Sequence, residues 1–432
     1  MASLWRENFE LPKFQTLEKN IHTDVLVIGG GIAGILCAHY LKQAGIDCIL
    51  VEEKTICSGT TQNTTAKITS QHGLIYHKLI RQFGTEDAQL YLQANQEALG
   101  EFQRLCSDMD CDFSNQDNYV YSTDDPEILL EEMDALKVLD YPAKLVTNLP
   151  IPETNVGAVC FPRQGQFHVL KFLSRIVQDL PIYEHSAVRE LAPNIAVCDQ
   201  ATIFANKIIV ATHFPMLNKH GSYFLKLFQH RSYCLALENV IPMPGMYVDE
   251  NGKGLSFRSY ENMLILGGGG HRTGKKGGGW AELEAFAQKH YPGARIRCRW
   301  AAQDCMSLDG APYIGQYSRS VKDLYVATGF NKWGMAGSMV AAQLLTDLIT
   351  DTPNPYEAVF SPSRSILRKQ LGINAVEATA NLLTPTAKRC PHLGCALKWN
   401  PQEHTWDCPC HGSRFQENGK RMDGPATRDL KK

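Results

Sequence analysis

The chain has 432 residues, of which 44% are hydrophobic, and its formal net charge is −2. A chain of this length is typical of two or three domains. The near-neutral charge gives no electrostatic case for a nucleic-acid partner or an anionic membrane.

The first twenty residues mix charged and apolar side chains, so they have neither the apolar core nor the cleavage site of a signal peptide. No apolar run approaches the roughly 20 residues that a transmembrane helix needs. Ten of the fourteen cysteines are scattered singly between Cys37 and Cys305, which is typical of buried thiols in a reducing compartment. We therefore predict a cytoplasmic protein without a transmembrane segment.

The predicted elements begin with a strand, a helix and a second strand. Asp24–Gly29 (DVLVIG) is a β-branched apolar run, Ile32–Gln43 has helical apolar spacing, and Asp47–Glu52 (DCILVE) is again strand-like. All three fit within about 30 residues, which is the size of a βαβ unit.

The pattern then changes several times along the chain. Residues 74–140 have apolar residues at three- and four-residue spacing and predict a mainly helical insert, whereas strand-like segments dominate residues 156–299. A buried strand, Asp323–Thr328, precedes a glycine-rich turn and a helix, Met335–Ile349. A proline-rich stretch after Asp351 ends this body, and a helix-prone linker follows.

The first turn carries a dinucleotide-binding fingerprint. Gly29, Gly31 and Gly34 form G-x-G-x-x-G between a strand and a helix, where glycines permit a tight turn and close approach of a pyrophosphate to the helix N-terminus. Glu52 ends the second strand and can accept hydrogen bonds from ribose hydroxyls; strand alternation favours it over Glu53. The alternative, a glycine-rich turn without a ligand, is disfavoured by this context.

Three further patches carry a family resemblance. SGTTQNTTAK (58–67), RWAAQDCMSLDGAPYIG (299–315) and LYVATGFNKWGMAG (324–337), together with the first βαβ unit, resemble the D-amino-acid oxidase-like FAD oxidoreductases, which include glycine and sarcosine oxidases. The resemblance implies noncovalently bound FAD, with Gly329, Gly334 and Met335 beside the flavin ring. NAD as the sole nucleotide is disfavoured, because simple NAD dehydrogenases lack the late patch.

The last four cysteines belong to a separate motif. Cys390 and His392 are one residue apart, and Cys408 and His411 are two apart, so each of two loops can present a thiolate and an imidazole. Two thiolates on one iron and two imidazoles on the other is the Rieske [2Fe–2S] arrangement. A zinc site is the competing assignment, but the order of Cys and His differs from that of a zinc finger.

The segments CPHLGC and CPCHGS closely resemble the Rieske proteins of respiratory and photosynthetic cytochrome complexes. The resemblance implies a disulfide between the two remaining cysteines, Cys395 and Cys410. Two thiols covering the cluster are the alternative, because disulfides are unusual in the cytoplasm. Few residues precede the first ligand loop, so we predict a reduced Rieske domain that packs on the rest of the protein.

The predicted fold class is α/β: a Rossmann-like FAD-binding domain with a mixed-sheet substrate domain and a helical insert, plus a small, reduced all-β Rieske domain. The predicted boundaries are 1–364 for the FAD-dependent body (FAD-binding parts 20–75, 155–215 and 300–350; substrate domain 76–154 and 216–299), 365–384 for the linker and 385–432 for the Rieske domain.

The combination predicts an enzyme that oxidises a C–N bond of a small amine or amino acid and passes electrons singly from reduced FAD to the cluster, and from there to an unidentified acceptor. A potential of about −150 to +300 mV makes that transfer downhill from many flavins. The candidate catalytic residues are Arg258, Tyr260 and His271, and Arg258 suits a substrate carboxylate. The alternative function is an electron-transfer or redox-sensing module between proteins.

Overall fold

The computed structural model describes residues 3–7, 9–216, 220–252 and 254–431. The helices are α1 (Ile32–Gln43), α2 (Tyr76–Phe83), α3 (Thr85–Cys106), α4 (Pro126–Val138), α5 (Val169–Ile176), α6 (Tyr223–Lys226), α7 (Gly279–His290), α8 (Gly334–Ile349), α9 (Glu357–Phe360) and α10 (Lys369–Leu383), with short 3₁₀ turns at Leu4–Arg6 and Thr60–Asn63.

Strands make up three sheets in the described part of the chain. They are β1 (Ile21–Ile28), β2 (Cys48–Val51), β3 (Lys67–Ile68), β4 (Ser114–Ser122), β5 (Lys144–Val146), β6 (Gly157–Gln166), β7 (Ile182–Tyr183), β8 (Val188–Ala192), β9 (Ile195–Cys198), β10 (Thr202–Val210), β11 (Phe228–Glu238), β12 (Met246–Asp249), β13 (Ser256–Tyr260), β14 (Met263–Arg272), β15 (Arg295–Met306), β16 (Tyr313–Ser318), β17 (Val321–Thr328), β18 (Lys398–Asn400), β19 (Thr405–Asp407), β20 (Arg414–Gln416) and β21 (Arg421–Asp423).

The first sheet contains the predicted βαβ unit. Its order is β16-β17-β10-β1-β2-β7, with β9 and β8 added beyond β10. Parallel pairing of β1 with both β2 and β10 buries β1 in the centre of the sheet. The predicted bounds of α1 agree with the structure, and the predicted strands agree to within a few residues. The carboxyl ends of β1, β2, β10 and β17 therefore meet at one edge, where ligands bind in such folds.

Gly34 allows α1 to lie directly against β1. A Cβ atom at this position would be 1.9 Å from the carbonyl oxygen of Gly29, so a side chain cannot be accommodated. Gly29 has a φ of +112°, which L residues rarely adopt. Both glycines are therefore required by the turn itself.

The second sheet has nine strands in the order β15-β11-β14-β13-β12-β4-β6-β3, with β5 beside β6. It corrects the sequence-based partition at two places, because β6 and most of β15 lie within segments predicted for the FAD-binding part. β6 instead pairs antiparallel with β4, and β15 with β11. The predicted helical insert contains α2, α3 and α4, but β4 interrupts it as a strand of this sheet.

The C-terminal domain, residues 369–431, consists of α10 and a four-stranded sheet of three-residue strands. Its small core contains the four motif cysteines with Leu397 and the fully buried Phe415. The segment predicted as a linker is mostly α10, which packs on this core through Ala378. None of the helices in the described part of the chain has the length and apolarity to cross a membrane.

The predicted packing of this domain on the body is confirmed by hydrogen bonds from Arg272. Its guanidinium donates to the carbonyl oxygens of Pro409 and Cys410, at 3.0 and 3.3 Å, and to the side chain of Asn374 at 2.9 Å. A further bond, 2.9 Å long, joins the Gln303 amide to the carbonyl of Gly412. The body therefore supports a domain whose own core is small.

Candidate functional site

A cavity of about 860 Å³ lies at the carboxyl edge of the first sheet. Gly29, Gly31 and Glu52 line it, as do Gly334 and Met335 at the start of α8. Its volume is at the upper end of the range for cofactor sites, as a dinucleotide requires. The two predicted FAD-binding patches, nearly 300 residues apart in sequence, thus face one cavity. Two other predicted residues, Gly34 and Gly329, are not among the described residues lining it.

Glu52 is held in place by backbone donors. Its carboxylate accepts hydrogen bonds from the N–H groups of Gly30, at 2.7 Å, and Lys54, at 2.8 Å. Burial raises the pKa of Glu52 above its usual range, and the two N–H groups oppose this shift. These bonds fix a carboxylate beside the dinucleotide turn, where the ribose of a bound cofactor would meet it.

The turn before α8 has a strained backbone that places the helix start on the cavity wall. Gly329, Asn331 and Lys332 have φ values of +72°, +51° and +72°. The Asn331 side chain stabilises this shape, donating to the carbonyl of Gly329 at 2.7 Å and accepting from the N–H of Ser307 at 2.8 Å. The positive end of α8 therefore faces the cavity and would stabilise an anionic, reduced flavin.

Trp333, in the same turn, also lines the cavity. Its ring stacks on His72, with centroids 5.2 Å apart and an interplanar angle of 16°. His72 is buried and its two ring nitrogens lie 2.7 Å from the Tyr91 hydroxyl and 2.8 Å from the Thr69 carbonyl. Burial lowers the pKa of His72 to about 3, so the ring is neutral and serves as a fixed support for Trp333.

Two lysines that the sequence analysis did not single out line the same cavity. Lys67 is buried, and burial, together with the nearby Arg258 charge, lowers its pKa to about 7. Lys332 lies on the cavity wall and donates to the carbonyl of Gly252 at 3.0 Å. The buried Cys234 lines the same cavity as both lysines. In the sequence, the signal that could have identified Lys67 is its position at the end of the SGTTQNTTAK segment.

Arg258 lies behind this wall, and it is not among the described residues that line the cavity. Its fully buried guanidinium donates to the carbonyl oxygens of Thr65 and Ala66, at 2.6 and 2.8 Å, and stacks over the ring of Trp5. These contacts link Arg258 to the segment that carries Lys67, while its Nε and Nη2 have no hydrogen-bond partner among the described residues. Its role in binding a substrate carboxylate stays a prediction.

The other two catalytic candidates, Tyr260 and His271, are also not among the described residues that line the cavity. The Tyr260 hydroxyl donates to the Asp112 carboxylate at 2.7 Å. The His271 ring contacts the Tyr233 hydroxyl at 3.1 Å and the Arg272 carbonyl at 2.9 Å, on the side of β14 that meets the C-terminal domain. These contacts support structural roles for both residues. The FRSY strand and the glycine-rich turn do not show from sequence alone which side of the sheet other parts of the protein cover.

The two cluster loops share one backbone design. In the first, the Cys390 N–H donates to the Cys395 carbonyl and the Gly394 N–H donates back to Cys390. In the second, the Cys408 N–H donates to the carbonyl of Ser413 and the N–H of Gly412 donates back to Cys408 in the same way. Both glycines have positive φ, at +78° and +84°. The repeated turn brings a cysteine and a histidine from each loop to the same place.

The predicted ligands meet where the loops face each other. The Cys390 thiol contacts the Cys408 thiol, which raises the pKa of Cys390 well above its usual range. The rings of His392 and His411 lie 4.9 Å apart at 87°. Nδ1 of His411 is buried with no hydrogen-bond partner among the described residues, while its Nε2 lies 3.0 Å from the Phe224 carbonyl. A buried ring nitrogen without a partner is what an iron ligand requires.

The remaining two cysteines lie beside the same centre. The Sγ atoms of Cys395, Cys408 and Cys410 are all within 4.8 Å of one another, close enough for a single ion. In a Rieske cluster the two thiolates bind one iron and the two imidazoles bind the other. The four predicted ligands therefore need not all lie within bonding distance of one metal ion. All fourteen cysteines are thiols in the structure, and the Cys395–Cys410 disulfide stays a prediction.

Phe214 connects the two sites. It lines the large cavity and is itself buried. Its ring centroid is 6.3 Å from that of His392 and 6.1 Å from that of His411, in edge-on contact with both. The cavity and the cluster loops are thus separated by a single aromatic side chain at this point.

Comparison with known families agrees with both sites. Residues 24–348 match the model of the FAD-dependent oxidoreductase family, and residues 366–432 match the Rieske [2Fe–2S] domain. The chain belongs to the FAD-dependent oxidoreductases. This oxidoreductase binds FAD and, through its Rieske domain, a [2Fe–2S] cluster, which decides against zinc. The Rieske match begins at residue 366 and so includes the segment predicted as a linker.

Among the relatives of this oxidoreductase, a Bacillus subtilis protein named as a Rieske 2Fe-2S iron-sulfur protein, YhfW, is 33% identical over 490 residues, covering 99% of this chain and 96% of that protein. A cytochrome b6-f complex iron-sulfur subunit of Synechococcus is 54% identical over 41 residues, 10% of this chain and 24% of the subunit.

Two solved structures have the same fold as the body of this oxidoreductase. Glycine oxidase from Geobacillus kaustophilus has a TM-score of 0.67 at 19% identity, covering 80% of this chain and 99% of its own. L-proline dehydrogenase from P. horikoshii has a TM-score of 0.67 at 18% identity, covering 80% and 98%.

Proposed function

We propose that this oxidoreductase oxidises a C–N bond of a small amine or amino acid and that the electrons pass singly from reduced FAD to the Rieske cluster. The observation that carries this proposal is the position of Phe214, which lines the FAD cavity and touches both cluster histidines. When bound, FAD accepts two electrons from substrate, and the cluster removes them one at a time to an unidentified acceptor.

The cavity favours a substrate that carries a carboxylate. Lys67 and Lys332 both line it, and the ammonium group of a buried lysine such as Lys67 recognises a carboxylate strongly. Two proteins with the same fold are named for their action on glycine and L-proline, which supports an amino acid as substrate. In this proposal Lys67 and Lys332 bind the carboxylate, and Trp333 excludes water from one side of the reacting carbon.

The ten cysteines of the body are thiols, and nine of them are buried. Buried thiols of this kind suit a reducing compartment, and we place the reaction in the cytoplasm.

The test is an anaerobic single-turnover experiment on the protein loaded with both cofactors. The protein is mixed with a panel of amines and amino acids, while flavin absorbance and the EPR signal of the reduced cluster are followed together. We expect flavin bleaching, followed by a cluster signal that grows as the flavin is reoxidised. A matched variant, His411→Ala, is expected to bleach with the same substrate and to remain bleached, because its electrons have no internal outlet.

Two results contradict the proposal. If the flavin bleaches but the cluster stays oxidised, the two centres are not in series. If no compound bleaches the flavin while a chemical reductant fills both centres, the protein is an electron-transfer or redox-sensing module between protein partners.

A further inference from the structure

The C-terminal segment of the Rieske domain reaches the FAD cavity. Residues 421–427, which contain β21 and the chain after it, line the same cavity as the dinucleotide turn. The cavity is therefore not formed by the body alone.

Contacts to the residues that follow Glu52 hold the segment in place. The Arg421 guanidinium forms an ion pair with the Glu53 carboxylate, and the Lys54 ammonium donates to the Met422 carbonyl at 2.8 Å. Glu53 and Lys54 directly follow the carboxylate expected to bind ribose. The segment thus covers the end of the cavity where the adenosine half of the dinucleotide would lie.

The segment is also anchored within its own domain. The Ala426 N–H donates to the Ser413 hydroxyl at 3.0 Å, and the Arg421 N–H donates to the Asp429 carboxylate at 2.8 Å. Ala426 is almost fully buried. A segment tied both to a cluster loop and to the body cannot leave the cavity without breaking several hydrogen bonds, each of which opposes its displacement.

We propose that residues 421–427 are a wall of the FAD-binding site and slow the release of the cofactor. The Rieske domain then has a second role besides holding the cluster: it closes the nucleotide end of the flavin site. This role does not depend on the substrate or on electron transfer. It can therefore be wrong while the proposed function is correct, and it can be correct while the proposed function is wrong.

The first test measures FAD release from the full-length protein carrying both cofactors, by the rise in flavin fluorescence after dilution. We expect Arg421→Ala to release FAD about tenfold faster or more, because an ion pair and its hydrogen bonds are lost. Arg421→Lys should be intermediate, since it keeps the charge. Arg428→Ala is the matched control, because Arg428 is exposed in the same domain.

Cluster absorbance is recorded for each variant, so that loss of the Rieske fold is detected. Equal release rates in Arg421→Ala, Arg428→Ala and the unmodified protein would overturn the proposal.

A second measurement needs no variant. Amide hydrogen exchange of the full chain is compared with and without FAD, with the cluster present in both. FAD should protect the 421–427 segment, whereas β18 and β19 of the same domain should exchange alike in both samples. Unchanged exchange in residues 421–427 would equally overturn the proposal.

Discussion

Arg231 in β11 and Glu403 in the Rieske domain form a buried ion pair across the domain interface, with Nε of Arg231 3.0 Å from a carboxylate oxygen of Glu403. Glu403 also accepts from Arg414, at 2.7 Å, and from the Tyr233 hydroxyl, at 3.0 Å. One carboxylate thus neutralises two buried guanidinium groups, one from each domain. Glu403 therefore adds a buried ionic contact to the hydrogen bonds of Arg272 and Gln303 that dock the Rieske domain.

Replacing Glu403 with Gln should weaken both docking and stability. The change leaves the buried Arg231 without its carboxylate partner, which costs about 3–5 kcal/mol, whereas Arg414 keeps its ion pairs with Asp407 and Asp423. Denaturant unfolding, followed separately by flavin fluorescence and cluster absorbance, measures this loss. Glu417→Gln, an exposed glutamate of the same domain, is the control and should change the free energy of unfolding by less than about 0.5 kcal/mol. Equal stability of the two variants would show that the pair contributes nothing.

The same carboxylate predicts a pH dependence. Burial by itself raises the pKa of Glu403, but Arg231 and Arg414 outweigh burial and hold the pKa below its ordinary value of 4.5. A depressed carboxyl pKa stabilises the folded state at pH values above 4.5, and that stability is lost as pH falls through the folded pKa. We expect docking to be insensitive to pH between pH 6 and pH 8, where Glu403 stays ionised, and to weaken in acid. Glu403→Gln cannot titrate at this position, so it should lose less stability in acid.

Lys67 predicts a second pH dependence, in the binding of carboxylates. Burial, assisted by Arg258, lowers the pKa of Lys67 to about 7, so its ammonium is present below that pH and lost above it. Acetate, which stays ionised throughout, should bind more weakly as pH rises, by up to about tenfold per unit above the pKa. The perturbation of the flavin spectrum measures its dissociation constant.

Lys67→Met should remove this pH dependence and weaken acetate binding. Lys78→Met is the control, because Lys78 is an exposed lysine on the rim of the same cavity. If both variants behave alike, Lys67 does not meet the carboxylate.

Two glycine substitutions should have opposite effects. Gly34→Ala places a methyl group 1.9 Å from the Gly29 carbonyl oxygen, so it should separate α1 from β1 and abolish FAD binding. Gly100→Ala, in the exposed face of α3, meets no atom within 4 Å and should stabilise the protein by about 0.5–1 kcal/mol. Flavin content and thermal unfolding distinguish the two. Retention of FAD by Gly34→Ala would contradict the close packing.

The Rieske ligands predict a selective loss of iron. His411→Ala removes a buried ring nitrogen that faces the cluster loops, and it should abolish the Rieske EPR signal and most of the bound iron. His404→Ala, an exposed histidine of the same domain, should retain both. Far-UV circular dichroism serves as the measure of folding for both variants. Normal iron content in His411→Ala would contradict its assignment as a ligand.

Local patterns in the sequence determined a large part of this structure. The bounds of α1, the strands around it and the glycine fingerprint were predictable. In a βαβ unit, the residues that form the tight turn and the buried strands are neighbours in the sequence. The four predicted cluster ligands form an equally local pattern, since each pair lies within one short loop, and the loop hydrogen bonds at Cys390 and Cys408 span only five residues.

Only the tertiary structure decided the partners of these local units. Arg258 bonds to the Thr65 and Ala66 carbonyls, nearly 200 residues away, and the wall at residues 421–427 depends on Glu53 and Lys54. The sheet membership of β6 likewise follows from pairing with β4. Such contacts arise when separate chain segments bury shared surface, and neither periodicity nor spacing within one segment contains that information.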